Sequence, residues 1–276
     1  MNNQLVAPRK IFETHSQILD KQKRIIALGD SSVFGVGDFG DNFAYTGAGW
    51  TGRFAHDVGA TAYANVAKNG ARAKHLLKSQ LPAALAMMPN VALVCIGTND
   101  VLRGDFSPKE IYKVMKYVVD ELNRINCTVI LLGLPDPMIT APGPIFLRRI
   151  LQERVNIVNE IFEHLDSAQN VRLIRTLQLQ NSKEFWHIDR MHPSPLGHQF
   201  IANHVRNSLK LEKITKMELP TESRSSLKFE LFWLLTNGTK WFLKRSVDLV
   251  PGLIWLILSN KIKRKSDWNN KEFLQS

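Results

Sequence analysis

Hydrophobic positions along the chain follow two different periods. Short aliphatic or β-branched runs occur at Arg24–Leu28, Thr61–Asn65, Val91–Ile96, Thr128–Gly133 and Val171–Arg175. Runs such as VALVCI and TVILLG are apolar at consecutive positions, the pattern of a strand covered on both faces. Longer segments with apolar residues at helical spacing lie between them: Trp50–Gly59, Ala71–Ala86, Pro108–Ile125, Pro144–Leu165 and Pro195–Leu209. This alternation predicts an α/β domain, a parallel sheet with helices on both sides. Ligands in such folds sit beyond the carboxyl ends of the strands, which makes the residues there the first candidates for chemistry.

The alternation stops near Leu209. Residues 211–226, containing KMELPTESRSS, are polar and read as a linker. Residues 227–276 have a different composition, with four of the six tryptophans in the last 44 residues. The expected organisation is therefore a domain over residues 1–210, a linker over 211–226 and an aromatic, basic appendage over 227–276.

Composition narrows the classes. The 276 residues are 44% hydrophobic and 22% charged, which excludes wholesale disorder, collagen and coiled coil. Two cysteines, Cys95 and Cys127, exclude a disulfide scaffold and a Cys-rich zinc site, and both are expected as buried free thiols. The N-terminal residues lack the apolar core of a signal peptide, so a cytoplasmic location is the expectation. The longest uncharged stretch of the C-terminal region, Leu249–Asn260, is too short for a spanning helix. A net charge of +11 points to an anionic partner without naming it.

Four strand ends carry candidate chemistry. The first strand runs into Gly29-Asp30-Ser31-Ser32, where a serine at a helix start has backbone N–H groups beside it that can face an oxyanion. The second runs into Asn65–Ala71, where Gly70 allows close approach of a ligand. The third runs into Gly97-Thr98-Asn99-Asp100, and Asn99 offers an uncharged amide donor. Near the end of the domain, Asp189 precedes His192 by three residues. A turn there lets the carboxylate hold Nδ1–H and leaves Nε2 to take a proton from a hydroxyl. Singly, each has an ordinary explanation: a helix cap, a turn glycine, a turn asparagine, a surface Asp–His contact. Jointly, their order and their positions at strand ends favour a site.

The chain resembles the SGNH hydrolases, the GDSL-type esterases and lipases. The resemblance rests on GDSSVFGVG (Gly29–Gly37), NVAKNGARAKHLL (Asn65–Leu77), GTND (Gly97–Asp100) and DRMHPSPLGH (Asp189–His198), and covers about residues 24–209. It implies a three-layer flavodoxin-like parallel sheet and ester hydrolysis through an acyl-enzyme, with no metal or organic cofactor. It matches Ser31 to the nucleophile, His192 to the base and Asp189 to the acid that orients it. It matches Gly70, Asn99 and the Ser31 N–H to the oxyanion hole. The leucine of the GDSL motif is Ser32 here, a position outside the chemical residues. Acyl transfer on the same site, and a membrane-associated binding protein retaining the fold, are the alternative functions.

Other patterns weigh less. Gly35–Gly40 satisfies G-x-G-x-x-G, but its first glycine lies seven residues beyond Leu28, too far for a dinucleotide-binding turn. His187, Asp189, His192 and His198 suggest zinc, but His187 precedes the turn and His198 falls inside the next helix. The basic residues are scattered and form no recognised nucleic-acid module, so no nucleic-acid partner is expected. Asp41–Trp50 and Leu134–Ile145 are expected to line the substrate pocket, with Arg148 and Arg149 nearby. The appendage ends in a short apolar helix pattern from Pro251 and the basic run Lys261–Lys265, which suits an anionic membrane surface. Packing on the domain or on a second subunit is the alternative, and the oligomeric state stays open.

Overall fold

The computed structural model describes residues 22–38, 48–135, 145–175, 183–189 and 191–216, together with Leu235. Five strands, β1 (Arg24–Gly29), β2 (Ala62–Asn65), β3 (Val91–Cys95), β4 (Thr128–Leu132) and β5 (Val171–Ile174), form one sheet. Each bound lies within one residue of the prediction. The order is β2-β1-β3-β4-β5 and every neighbouring pair is parallel. This is the flavodoxin-like doubly wound order, in which the chain turns outward on one side of β1 and then on the other. The loops leaving β1 and β3 diverge there and open a crevice at their carboxyl ends.

Coverage of the sheet follows from its composition. All five residues of β3 and of β4 are buried, as are the last five of β1. Alternate side chains of a strand point to opposite faces, so both faces are covered. The helices are α1 (Ser31–Phe34), α2 (Gly49–Asp57), α3 (Ala73–Ala86), α4 (Thr98–Val101), α5 (Pro108–Arg124), α6 (Ile145–Leu165) and α7 (Pro195–Ser208). α2 packs on α7, while α5 packs on α3 and α6. α5 shows why these segments are helical: Ser107 caps it by accepting the Glu110 N–H, and Pro108 opens it. Ile111, Met115, Val118, Val119 and Leu122 bury one stripe of it. α3 is irregular, with Leu76–Gln80 wound as a π-helical turn.

Buried polar groups fasten the helices that flank the crevice. Arg53 of α2 makes a two-pronged ion pair with Asp38, Nε to Oδ2 at 3.0 Å and Nη2 to Oδ1 at 2.8 Å, and both side chains are buried. Arg53 Nη1 also donates to Gln199 of α7 at 2.9 Å. His198 of α7 accepts the Trp50 N–H on Nδ1 at 3.1 Å and donates from Nε2 to the Val36 carbonyl at 2.9 Å. One imidazole thus joins α7, the start of α2 and the turn after α1. The chain beyond α7 stays on the domain: Leu211 is buried, and Ile214 N–H donates to the Asp57 carbonyl at 2.8 Å. Residues 217–276 other than Leu235, and with them nearly all of the predicted appendage, lie outside the described residues. Among the described residues, no helix is long and apolar enough to cross a membrane. Cys95 and Cys127 are free and buried, as expected.

His198 has a consequence for stability. Burial pushes its imidazole down to about 4 from an ordinary 6.5. Below pH 6.5 the unfolded chain takes up a proton that the native state refuses until about pH 4. Wild type should therefore lose stability relative to His198→Gln as pH falls through that window, at up to about 1.4 kcal/mol per pH unit. Urea unfolding of both proteins at pH 7.5, 6 and 5 checks this; a constant difference between them contradicts it.

Candidate active site

The serine is placed by the way β1 ends. The Gln80 side chain brackets the Gly29 peptide, accepting its N–H at 2.8 Å and donating to its carbonyl at 2.9 Å. The π-helical turn of α3 contains Gln80, and such turns recur at functional sites. A side chain at Gly29 is excluded, because a Cβ there would lie 2.1 Å from the Cys95 carbonyl oxygen. Asp30 then caps α1, its Oδ1 accepting both the backbone N–H and the hydroxyl of Ser32 at 3.0 Å. Ser32 therefore binds the cap carboxylate where the GDSL motif carries leucine. Burial pushes the Asp30 carboxyl up to about 6. Ser31 is the first residue of α1, so its N–H belongs to the group a helix leaves without an intrahelical partner.

The histidine comes from the opposite end of the domain. Residues 185–187 and 192–194 run antiparallel, with His187 N–H on the His192 carbonyl at 2.8 Å and Ser194 N–H on the Phe185 carbonyl at 2.9 Å. Asp189 folds back between them. Its Oδ1 accepts the N–H groups of Met191 at 2.9 Å and His192 at 3.0 Å. Its Oδ2 lies 2.7 Å from His192 Nδ1, and His192 Nε2 lies 2.8 Å from Ser31 Oγ. Ser31 and His192 are each 8% exposed. With Nδ1–H donating to the carboxylate, Nε2 is the acceptor for the Ser31 hydroxyl. Burial would raise the Asp189 carboxyl, but the charge of His192 and hydrogen bonds from His187 and His192 outweigh it and hold the group well below the usual carboxylate range. The group is therefore anionic.

Two further loops complete the crevice. Gly70 has a positive φ of 76°, a conformation that a side chain would strain. Asn99, in α4, donates from Nδ2 to the Ala71 carbonyl at 3.0 Å, which sets its amide against the Gly70 turn. Lys68 N–H donates to the Gly29 carbonyl at 3.2 Å, and Asp30 N–H to the Cys95 carbonyl at 3.3 Å. The loops after β1, β2 and β3 are thus stitched together. Ser31, His192 and Asp189 are joined directly, while Asn99 meets the Gly70 turn through Ala71.

The weighed zinc cluster comes apart. His187 lies beside Asp189 Oδ2 at 3.2 Å, whereas both ring nitrogens of His198 are taken by backbone groups of Trp50 and Val36. Most of the two expected substrate loops, residues 41–47 and 136–144, lies outside the described residues. Arg148 and Arg149 are exposed on α6. Sequence reading missed Gln80, the Arg53–Asp38 pair and an ion pair of Arg72 with Asp100 at 3.0 Å. Only the last left a trace, as opposite charges inside two adjoining blocks.

Solved structures share this architecture. An acetylxylan esterase, Axe2 from Geobacillus stearothermophilus, superposes with a TM-score of 0.52 at 19% identity, over 71% of this chain and 97% of its own. The psychrotrophic esterase EstA from Pseudoalteromonas sp. gives 0.51 at 18% identity, over 68% and 97%. A putative GDSL-like lipase from Parabacteroides merdae gives 0.54 at 16% identity, over 70% and 98%. At these identities the likeness establishes the fold. No curated protein matches the chain. The blocks that build the crevice all fall inside residues 27–200, and over that span the sequence fits one family, so the chain belongs to the GDSL-like Lipase/Acylhydrolase family.

Proposed function

We propose that the protein hydrolyses a carboxylic ester through an acyl-enzyme on Ser31. Membership of an acylhydrolase family supports ester hydrolysis. The hydrogen-bonded series Ser31–His192–Asp189, at 2.8 and 2.7 Å, carries the assignment of roles. His192 Nε2 takes the hydroxyl proton as Ser31 Oγ attacks the ester carbonyl carbon. Asp189 stabilises the imidazolium that forms and fixes the tautomer. The tetrahedral oxyanion is held by the N–H groups of Ser31 and Gly70 and by the second amide hydrogen of Asn99, the first being spent on Ala71. The alcohol leaves with the proton from His192. Water then attacks the acyl-enzyme with His192 again as base, releasing the acid and restoring Ser31. Catalytic mutants of the Geobacillus esterase replace a serine, an aspartate and a histidine, the same three residue types.

The apolar and basic C-terminal appendage supports a second element of the reading, peripheral attachment to an anionic membrane. Residues 211–276 carry 12 of the 36 basic and 7 of the 25 acidic residues, so under a quarter of the chain supplies nearly half the positive surplus. A lipid or acylated small molecule is then the substrate class in reach.

Wild type should hydrolyse p-nitrophenyl acetate and react with a fluorophosphonate probe, and Ser31→Ala should lose both. A fully active Ser31→Ala would overturn the mechanism. Asn99→Ala should lower kcat by roughly 10²–10³, measured with the same ester. Full-length protein should float with anionic liposomes, and truncation after Ser225 should abolish flotation; equal flotation of both refutes membrane attachment through the appendage.

A further inference from the structure

Gly70 and Asn99 leave strands that are not neighbours. β1 lies between β2 and β3, so the two loops start about 10 Å apart, twice the strand spacing. Donors to one oxyanion must converge to about 3 Å from a single oxygen. No strand-to-strand hydrogen bond bridges that gap, because β2 and β3 do not pair; side chains do so across the end of β1.

The bridge is visible. Asp100, next to Asn99, takes Arg72 Nε on Oδ1 at 3.0 Å and the Ala73 N–H on Oδ2 at 2.9 Å. Arg72 is two residues beyond Gly70, and its Nη1 also donates to Asp105 at 2.9 Å. The Asp100 side chain is 5% exposed and that of Arg72 14%, so this pair is largely shielded from the solvent that makes surface ion pairs weak. Behind α4, Arg154 of α6 donates to the carbonyls of Val101 at 2.9 Å and Arg103 at 2.7 Å, with its guanidinium over the Phe106 ring. α4 is therefore fixed from α6 on one side, and Arg72 ties the Gly70 loop to it on the other.

We propose that Arg72 is a positioning residue for ester hydrolysis: its ion pair with Asp100 sets the distance between the Gly70 N–H and the Asn99 amide. The proposal rests on the assignment of those two groups to the oxyanion hole. The Arg72 guanidinium is spent on Asp100 and Asp105, so its removal should act through the donors and appear in kcat rather than KM.

The test is a double-mutant cycle with p-nitrophenyl acetate on wild type, Arg72→Gln, Asn99→Ala and the double variant. Arg72→Gln should lower kcat roughly 10- to 100-fold with KM within about twofold, and Arg72→Lys should recover part of the loss. In the Asn99→Ala background the same change should cost less than about threefold, because the group being positioned is gone. Equal losses in both backgrounds, a loss carried by KM, or no loss overturns the proposal. Asp100→Asn, which keeps an acceptor for the Ala73 N–H, should behave as Arg72→Gln does and decides the question if that variant fails to fold. An Asn99→Ala enzyme of full activity would remove the oxyanion assignment and the proposal together; a slow Asn99→Ala with additive Arg72→Gln removes the proposal alone.

Discussion

Gly29 ends β1, still in register with Cys95 of β3 but beyond the last partner in β2. Its N–H and carbonyl are both held by one buried amide, Gln80, and the carbonyl also takes the Lys68 N–H. That arrangement fixes the point at which a central strand becomes a one-turn helix. From it follow the position of the Asp30 cap and of Ser31, the first residue of α1. The other groups of the crevice are arranged around an atom whose place the sheet has already determined.

The molecule concentrates its buried polar groups around this point. Arg53 with Asp38, Arg72 with Asp100, His198 and Asp189 all lie on segments that form or flank the crevice. A buried pair is an uncertain source of stability, since desolvation offsets much of its attraction, but a broken one is costly. Such pairs therefore penalise wrong arrangements more than they reward the right one. Loops that must hold donors to within fractions of an ångström are suited by that asymmetry, whereas apolar packing tolerates small displacements. The sheet interior, built from Ile, Val, Leu and Ala, supplies the bulk stability.

Much of the fold was legible because its signals are local. Strands buried on both faces read as unbroken apolar runs, and Asp189 and His192 lie close enough in sequence for their contact to be inferred from a single turn. α1 and α4 are one turn long, too short for any periodicity to register. Sequence analysis extended α3 from Ala71 and gave no sign of the π-helical turn, since apolar spacing there fits an ordinary helix. The long-range polar contacts had no local signal. Gln80 meets Gly29 across 51 residues, and Trp50 meets His198 across 148. Which polar residue finds which partner is decided by strand order, and a glutamine on a helix looks the same whether it faces water or a strand end.

Asp189 and His192, the proposed acid and base, occupy one short clamped segment, whereas Ser31, the proposed nucleophile, lies 161 residues away, just after the first strand. Asp189 and His192 thus form a locally closed unit that meets Ser31 only through the packing of the domain. That contact accompanies α7 seated on α2 and the turn at Val36 bonded to His198, contacts that span 148 and 162 residues of sequence. Long loop closures are among the slowest steps for a chain to satisfy. In the proposed mechanism the three groups therefore come into register only where these long-range contacts are formed.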